Sequence, residues 1–186
     1  MNAGLLIIGL IVLLGVALAI LYNLLVRRRQ MARNGWADID VQLKRRADLI
    51  PQLVATVQGY ANHERKLFED VIEKRNAALA AGDDPAARGE AESALSQPVR
   101  RMIAVAEDYP DLKASGNFLE LQKELADTED KIEMARRFYN GAVRELNTLI
   151  ESFPVNMAAG PLGFSKRDYF EIETADRAVP EVRLGA

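Results

Sequence analysis

Charge is absent from the start of the chain: from Ala3 through Val26 there is no Asp, Glu, Lys or Arg, and most positions are Leu, Ile, Val or Ala. About 20 such residues at ~1.5 Å rise match the roughly 30 Å hydrocarbon core of a bilayer, so the run predicts a spanning helix. Beyond it the pattern turns from continuous to periodic. Trp36, Ile39, Leu43, Ile50, Leu53, Val57, Tyr60, Leu67 and Val71 recur at spacings of three and four, and Ala47, Val54, Ala61 and Phe68 widen the stripe. That period is helical, and the stripe is broad enough for a bundle core. Pro51 lies inside it. Because the phase carries from Leu43 through Ile50 to Val57, a bent continuous helix is the preferred reading, with a loop around Asp48 to Pro51 as the alternative.

Ala81, Gly82, Asp83, Asp84 and Pro85 predict a turn near Ala80 and a new helix from about Ala86 to Ala106, which stops at Tyr109 and Pro110. A connector covers Asp111 to Gly116, with Asn117 as the expected N-cap of the next helix. That helix has the most regular register: Phe118, Leu125, Ile132, Tyr139, Leu146 and Phe153 repeat every seven residues, reinforced by Leu121, Thr128, Ala135, Ala142 and Leu149. After Pro154 no period is sustained. Tyr169, Phe170 and Ile172 are candidates to tuck back onto the bundle, and the residues after Asp176 are expected to be mobile. No segment alternates with the period of a strand. The expected fold is all-α, a single N-terminal transmembrane helix followed by an up-and-down bundle of three to four long helices. The expected divisions are an anchor over 1–26, a bundle over 27–153 and an irregular tail over 154–186.

The charges beside the apolar run orient it. Arg27, Arg28, Arg29 and Arg33 follow immediately and none precede, which places the body on the cytoplasmic side and the N-terminus outside. Tyr22 suits the headgroup region at the same end. The arginines set topology on the simpler reading, and attract anionic lipid on the bolder one. Ala17 and Ala19 resemble a signal-peptidase site, but no basic residue precedes the run and apolar residues continue to Val26, which favours an anchor over a cleaved leader. Gly15 and Ala19 form a small-residue pair of the kind that brings spans together, a common and unspecific signal.

Composition removes whole classes of chemistry. The 186 residues include no Cys and one His, which excludes disulfide scaffolds, thiol catalysis and multi-histidine metal sites. A net charge of -3 argues against nucleic acid as a partner. His63 has Tyr60 three residues before it, so the Glu-x-x-His pair of di-iron bundles is absent, and no glycine set forms a phosphate loop. Carboxylate pairs such as Glu69 with Glu73 and Glu129 with Glu133 read as solvated helix faces beside Lys66, Arg75, Lys131 and Arg136. Two charges do stand out: Arg46 and Glu64 occupy seam positions. Each is either a partner in a buried ion pair that fixes register, or a place where the stripe reaches the surface and the side chain snorkels.

Several blocks carry a family resemblance. They are Tyr22 and Asn23 after the span, Trp36 to Val54 (WADIDVQLKRRADLIPQLV), Ala106 to Ala114 (AEDYPDLKA) and Asn117 to Gln122 (NFLELQ). They continue with Thr128, Glu129, Lys131, Ile132, Ala135, Arg136, Tyr139, Asn140, Asn147, Phe153, Pro154, Gly163 and Phe164. In these the chain resembles the LemA family of bacterial membrane-anchored helical proteins; Gln52 and Asp130 depart from the usual Asn. The resemblance implies a single-pass anchor in the bacterial inner membrane, a cytoplasmic bundle and no enzymatic activity. It also places Asp38, Asp40, Arg45, Arg46, Tyr109, Asp111, Asn117 and Glu129 in motif positions, where a partner surface or buried network is sought first.

The function expected from these features is a non-enzymatic scaffold or adaptor, without cofactor or metal, that offers a helical surface to membrane or cytoplasmic proteins or to further copies of itself. The first alternative is a lipid-interacting protein that organises the membrane or answers membrane stress, through Arg27, Arg28, Arg29 and Arg33. An enzyme or metal-binding bundle is the remaining one.

Overall fold

A computed structural model describes residues 3–172, and these are helical apart from turns and one extended stretch. The helices are α1 (Ala3–Gln58), α2 (Arg65–Ala80), α3 (Pro85–Glu107), α4 (Pro110–Lys113), α5 (Gly116–Glu151) and α6 (Val155–Ala159). The chain divides into two compact units. One holds α1 up to Asp40 with Glu133–Tyr169, and the other holds Val41–Ile132 with the chain from Phe170.

The all-α expectation and the N-terminal apolar helix are both present. α1 runs without interruption for 56 residues from the apolar run into the core stripe and passes through Pro51. A proline at that point cannot donate to the carbonyl four residues earlier. Here that carbonyl, Ala47 O, accepts instead from Arg75 Nε of α2 at 2.9 Å, so the gap in the ladder is filled by a side chain. The expected continuation of this helix to Ala80 does not occur. The chain leaves the helix at Gly59 and resumes at Arg65, with Tyr60 and Ala61 N–H both turning back to Val57 O at 3.0 and 2.9 Å. Gly59 opens this break, the residue type that loses most conformational freedom inside a helix. The break lets Ala61 turn inward to full burial. Glu64 consequently holds no seam position: it is a half-buried residue preceding α2.

In the unit formed by Val41–Ile132 the core is one cluster. Leu53, Val57, Val71, Leu95, Met102 and Leu112 are fully enclosed in it. Burying each such side chain contributes about 1.5–3 kcal/mol relative to leaving it in water. The start of α3 follows the expected chemistry, with Pro85 at the first helical position and the Asp84 carboxylate accepting from Ala87 N at 2.8 Å. The connector before α5 contains the single turn α4. Asn117 is not the cap there: α5 already includes it, and Ser115 O accepts the first helical bond from Leu119 N at 3.1 Å. Asn117 instead points its amide at Thr56 Oγ1, 3.4 Å away.

In the other unit α1 and α5 lie antiparallel, with Leu25 beside Leu146, Arg28 paired with Glu145 and the Trp36 ring 5.5 Å from Tyr139. Gly35 suits that crossing, since a Cβ would lie 3.0 Å from Phe138 Cδ1 and 3.1 Å from Tyr139 Cα, so that α5 would have to give by a few tenths of an ångström. The seven-residue seam of α5 is buried at Phe118, Leu125, Ile132, Tyr139 and Leu146, then fails at Phe153, which lies beyond the helix end and is 80% exposed. The segment after α6 is extended and well tied. Asn147 on α5 donates to Arg167 O and accepts from Arg167 N, both at 2.9 Å, and Tyr139 Oη donates to Asp168 O at 2.9 Å. Phe170 is fully buried in the Val41–Ile132 unit, while Tyr169 stays exposed and Ile172 is half-buried. The residues expected to be mobile after Asp176 lie outside the described ones.

Candidate functional site

Helical phase places charge inside the core of the Val41–Ile132 unit. Arg46 follows Leu43 by three residues and precedes Ile50 by four, so it must face inward with them. On α3 the same argument applies to Arg88, Glu92, Ser96 and Val99, which follow one another at intervals of four and three. The two stripes meet. Arg46 is 2% exposed; its Nη1 donates to Glu92 Oε2 at 3.1 Å and its Nη2 to Ser96 Oγ at 2.9 Å. Ser96 Oγ in turn donates to Glu92 O at 2.9 Å. Arg88 Nε reaches Glu92 Oε1 at 3.3 Å from one helical turn away, and Glu129 of α5 brings Oε1 to 2.9 Å from Arg46 Nε. That last contact is ionic only, because the Nε–H does not point at the oxygen.

Two guanidinium groups and the Glu92 carboxylate therefore share one enclosed cluster between α1 and α3, and the half-exposed Glu129 carboxylate of α5 closes its edge. Burial pushes the Glu92 carboxyl up from its ordinary value of 4.5; the fields of Arg46 and Arg88 pull it back only in part, and Glu129 adds to the rise. Desolvation wins because the carboxylate has lost nearly all of its water. A cluster of this kind fixes which turn of α1 lies against which turn of α3, since a slip would leave a buried charge unpaired.

Nearby, Gly89 is buried between Arg88 and Glu92's turn of α3, and the backbone of Glu171 crosses it. A Cβ at Gly89 would collide with Glu171 O and stand 3.2 Å from Glu171 C and N. Glycine is thus required for the C-terminal segment to lie on α3 beside the charge cluster.

Of the residues singled out by motif, only Arg46 and Glu129 meet in this cluster. Arg45 points outward, 3.7 Å from Glu124. Asp38, Asp40, Asp111 and Asn117 are exposed at separate places, and Tyr109 packs half-buried against the core. Of the arginines after the span, Arg28 pairs with Glu145 and Arg29 stacks over the Phe164 ring at 4.6 Å, while Arg27 and Arg33 are exposed. Glu92, Ser96 and Arg88 escaped sequence reasoning. The signal was present: a Glu in the phase of Leu95 and Val99 is the natural complement of an Arg in the phase of Leu43 and Ile50. Among the described residues no group of three or more His, Asp or Glu side chains converges as a metal-ligand set.

The fold and the cluster define a class: a helical protein with an N-terminal helix long and apolar enough to cross a bilayer, and a buried charge cluster in its Val41–Ile132 unit. The sequence profile of the LemA family matches residues 35–184, and the chain belongs to that family. It is similar to the magnetosome proteins MamQ 1 and MamQ 2 of Paramagnetospirillum magneticum, each 25% identical over 83% of this chain and 66% of the relative. It is likewise similar to Protein LemA of Metamycoplasma hominis, 27% identical over 87% of this chain and 75% of that one. The chain thus spans just under two thirds of the length of the MamQ relatives. Family and apolar helix together fit a membrane location.

Proposed function

We propose that this chain is a single-pass inner-membrane protein whose helical body stands in the cytoplasm and works by contact, as a non-enzymatic scaffold for protein partners or for further copies of itself. The carrying observation is a pair of apolar side chains that the body leaves outside. Met134 and Phe138, one turn apart on α5, are both about half exposed, although neighbouring Tyr139 is fully buried. Exposed apolar side chains adjacent on one helix face are a common feature of protein contact sites. The relatives' names state no reaction: they refer to the magnetosome or to the family itself.

A photo-crosslinking residue placed at Met134 or Phe138 in living cells tests this. Discrete adducts, to another protein or to a second copy, are expected at both positions and not at exposed Ala104. Equal, diffuse labelling at all three would contradict the scaffold reading.

A further inference from the structure

The end of α5 and the short α6 have an unusual surface for a water-soluble turn. From Ser152 to Ser165 the chain carries no charge. Within that stretch Val155 and Ala159 turn inward and are buried with Leu25, Leu146 and Phe164. On the other side Phe153 and Met157 are 80% and 72% exposed, and Leu162 is exposed as well. Phe153 is also the residue at which the buried seam of α5 stops.

The position of this turn along α1 gives the exposure a meaning. The cluster that holds α6 includes Leu25 and packs against Leu21, and the Phe164 ring meets Tyr22 edge-on at 5.7 Å. Leu21, Tyr22 and Leu25 are the last turn of the apolar run before Arg27. Counted from Leu5, about 20 residues at ~1.5 Å reach the far edge of a roughly 30 Å hydrocarbon core at Leu25. The turn is therefore held at the level where the span leaves the bilayer. The acidic groups that flank it are occupied, Glu145 by Arg28 and Glu151 by Lys166 at 2.6 Å. Arg27 remains exposed at the same level.

We propose that α6 and the turn before it form a second membrane contact, with Phe153, Met157 and Leu162 inserted at the boundary of headgroups and acyl chains beside the α1 span. This rests on the reading that α1 crosses a bilayer. An apolar edge beside basic residues is the composition that enters this boundary. The contact would fix the rotation of the unit that holds α6 about the α1 axis, which a single span leaves free.

The chain has no cysteine, so a single introduced one carries a unique nitroxide label. The full chain is reconstituted in vesicles of phosphatidylcholine and phosphatidylglycerol with one label at Phe153→Cys, Met157→Cys, Leu13→Cys or Lys131→Cys. Collision with oxygen reports lipid and collision with a nickel chelate reports water. The Leu13 label is expected to favour oxygen and the Lys131 label nickel, with the Phe153 and Met157 labels shifted to the oxygen side. Labels at 153 and 157 as nickel-accessible as the one at 131, with the Leu13 label in lipid, would overturn the second contact while leaving the span intact. Nickel access at Leu13 as well would overturn both. Spin–spin broadening at Met157 without oxygen preference would also overturn it, assigning the face to a second copy.

Discussion

The two ends of α1 put similar side chains to opposite uses. The residues from Leu5 to Ile20 are exposed and no other described residue covers them, while Ile39, Leu43, Ile50, Leu53 and Val57 are buried against other helices. Arginine follows the same division. Arg27 and Arg33 are exposed, Arg28 and Arg29 brace α5 and Phe164, and Arg46 is enclosed with Glu92 and meets the half-exposed Glu129. Apolar content alone therefore does not distinguish a span from a core helix; what distinguishes them is whether the apolar residues surround the helix or line one stripe of it.

The largest expected effect breaks the enclosed arginine. Arg46→Met leaves Glu92 buried with Arg88 as its remaining strong partner, and a loss of about 3–5 kcal/mol is expected from removing one side of a buried pair. Thermal unfolding in detergent, followed by circular dichroism, measures it. Arg33→Met, an arginine outside the core, should change stability by less than about 0.5 kcal/mol. If the two substitutions cost the same, the distinction between enclosed and exposed arginines fails.

A smaller loss is expected at the other end of the charge cluster. Gly89→Ala forces the Glu171 backbone off α3, and a clash that rigid backbone must absorb costs about 1–3 kcal/mol. Faster hydrogen exchange around Phe170, with α5 unchanged, would locate the damage there. Arg75→Ala is expected to be similar or milder. It strands the Ala47 carbonyl behind Pro51, at about 1–3 kcal/mol, and Pro51→Ala in the same chain should recover part of the loss because an N–H then fills the gap.

The smallest effect is a pH dependence. Because the folded Glu92 pKa lies above its ordinary 4.5, the folded state holds this proton more tightly than the unfolded one. The corresponding stability is fully present below about pH 4.5 and is lost as pH rises through the folded value. Glu92→Gln should flatten that part of the stability curve. A wild-type curve with the opposite slope over this range, unchanged in the variant, would show that the two arginines outweigh burial.

Much of this was legible in the chain. The α5 seam could be read because five residues follow one another at heptad spacing before Phe153 leaves it, and the start of α3 because Asp84 and Pro85 combine two strong helix-start signals. The break after Gln58 was not legible, since the apolar phase resumes beyond it and a single glycine is a weak stop. The tail's attachments were hidden for another reason. Asn147 and Tyr139 bond backbone groups 20 and 29 residues away, and a polar side chain carries no mark of which carbonyl it will find. Arg46 was visible as an anomaly, but its partner Glu92 became evident only when α3 supplied a second stripe in matching phase.

The proposed topology has α1 across the membrane and the body in the cytoplasm. Labelling with a membrane-impermeant maleimide tests it directly, using Asn2→Cys and Lys131→Cys in the otherwise cysteine-free chain expressed in bacteria. Asn2→Cys is expected to react in intact spheroplasts, and Lys131→Cys only in inside-out vesicles. Reaction of Lys131→Cys in intact spheroplasts, or recovery of the full chain in the soluble fraction, would contradict it.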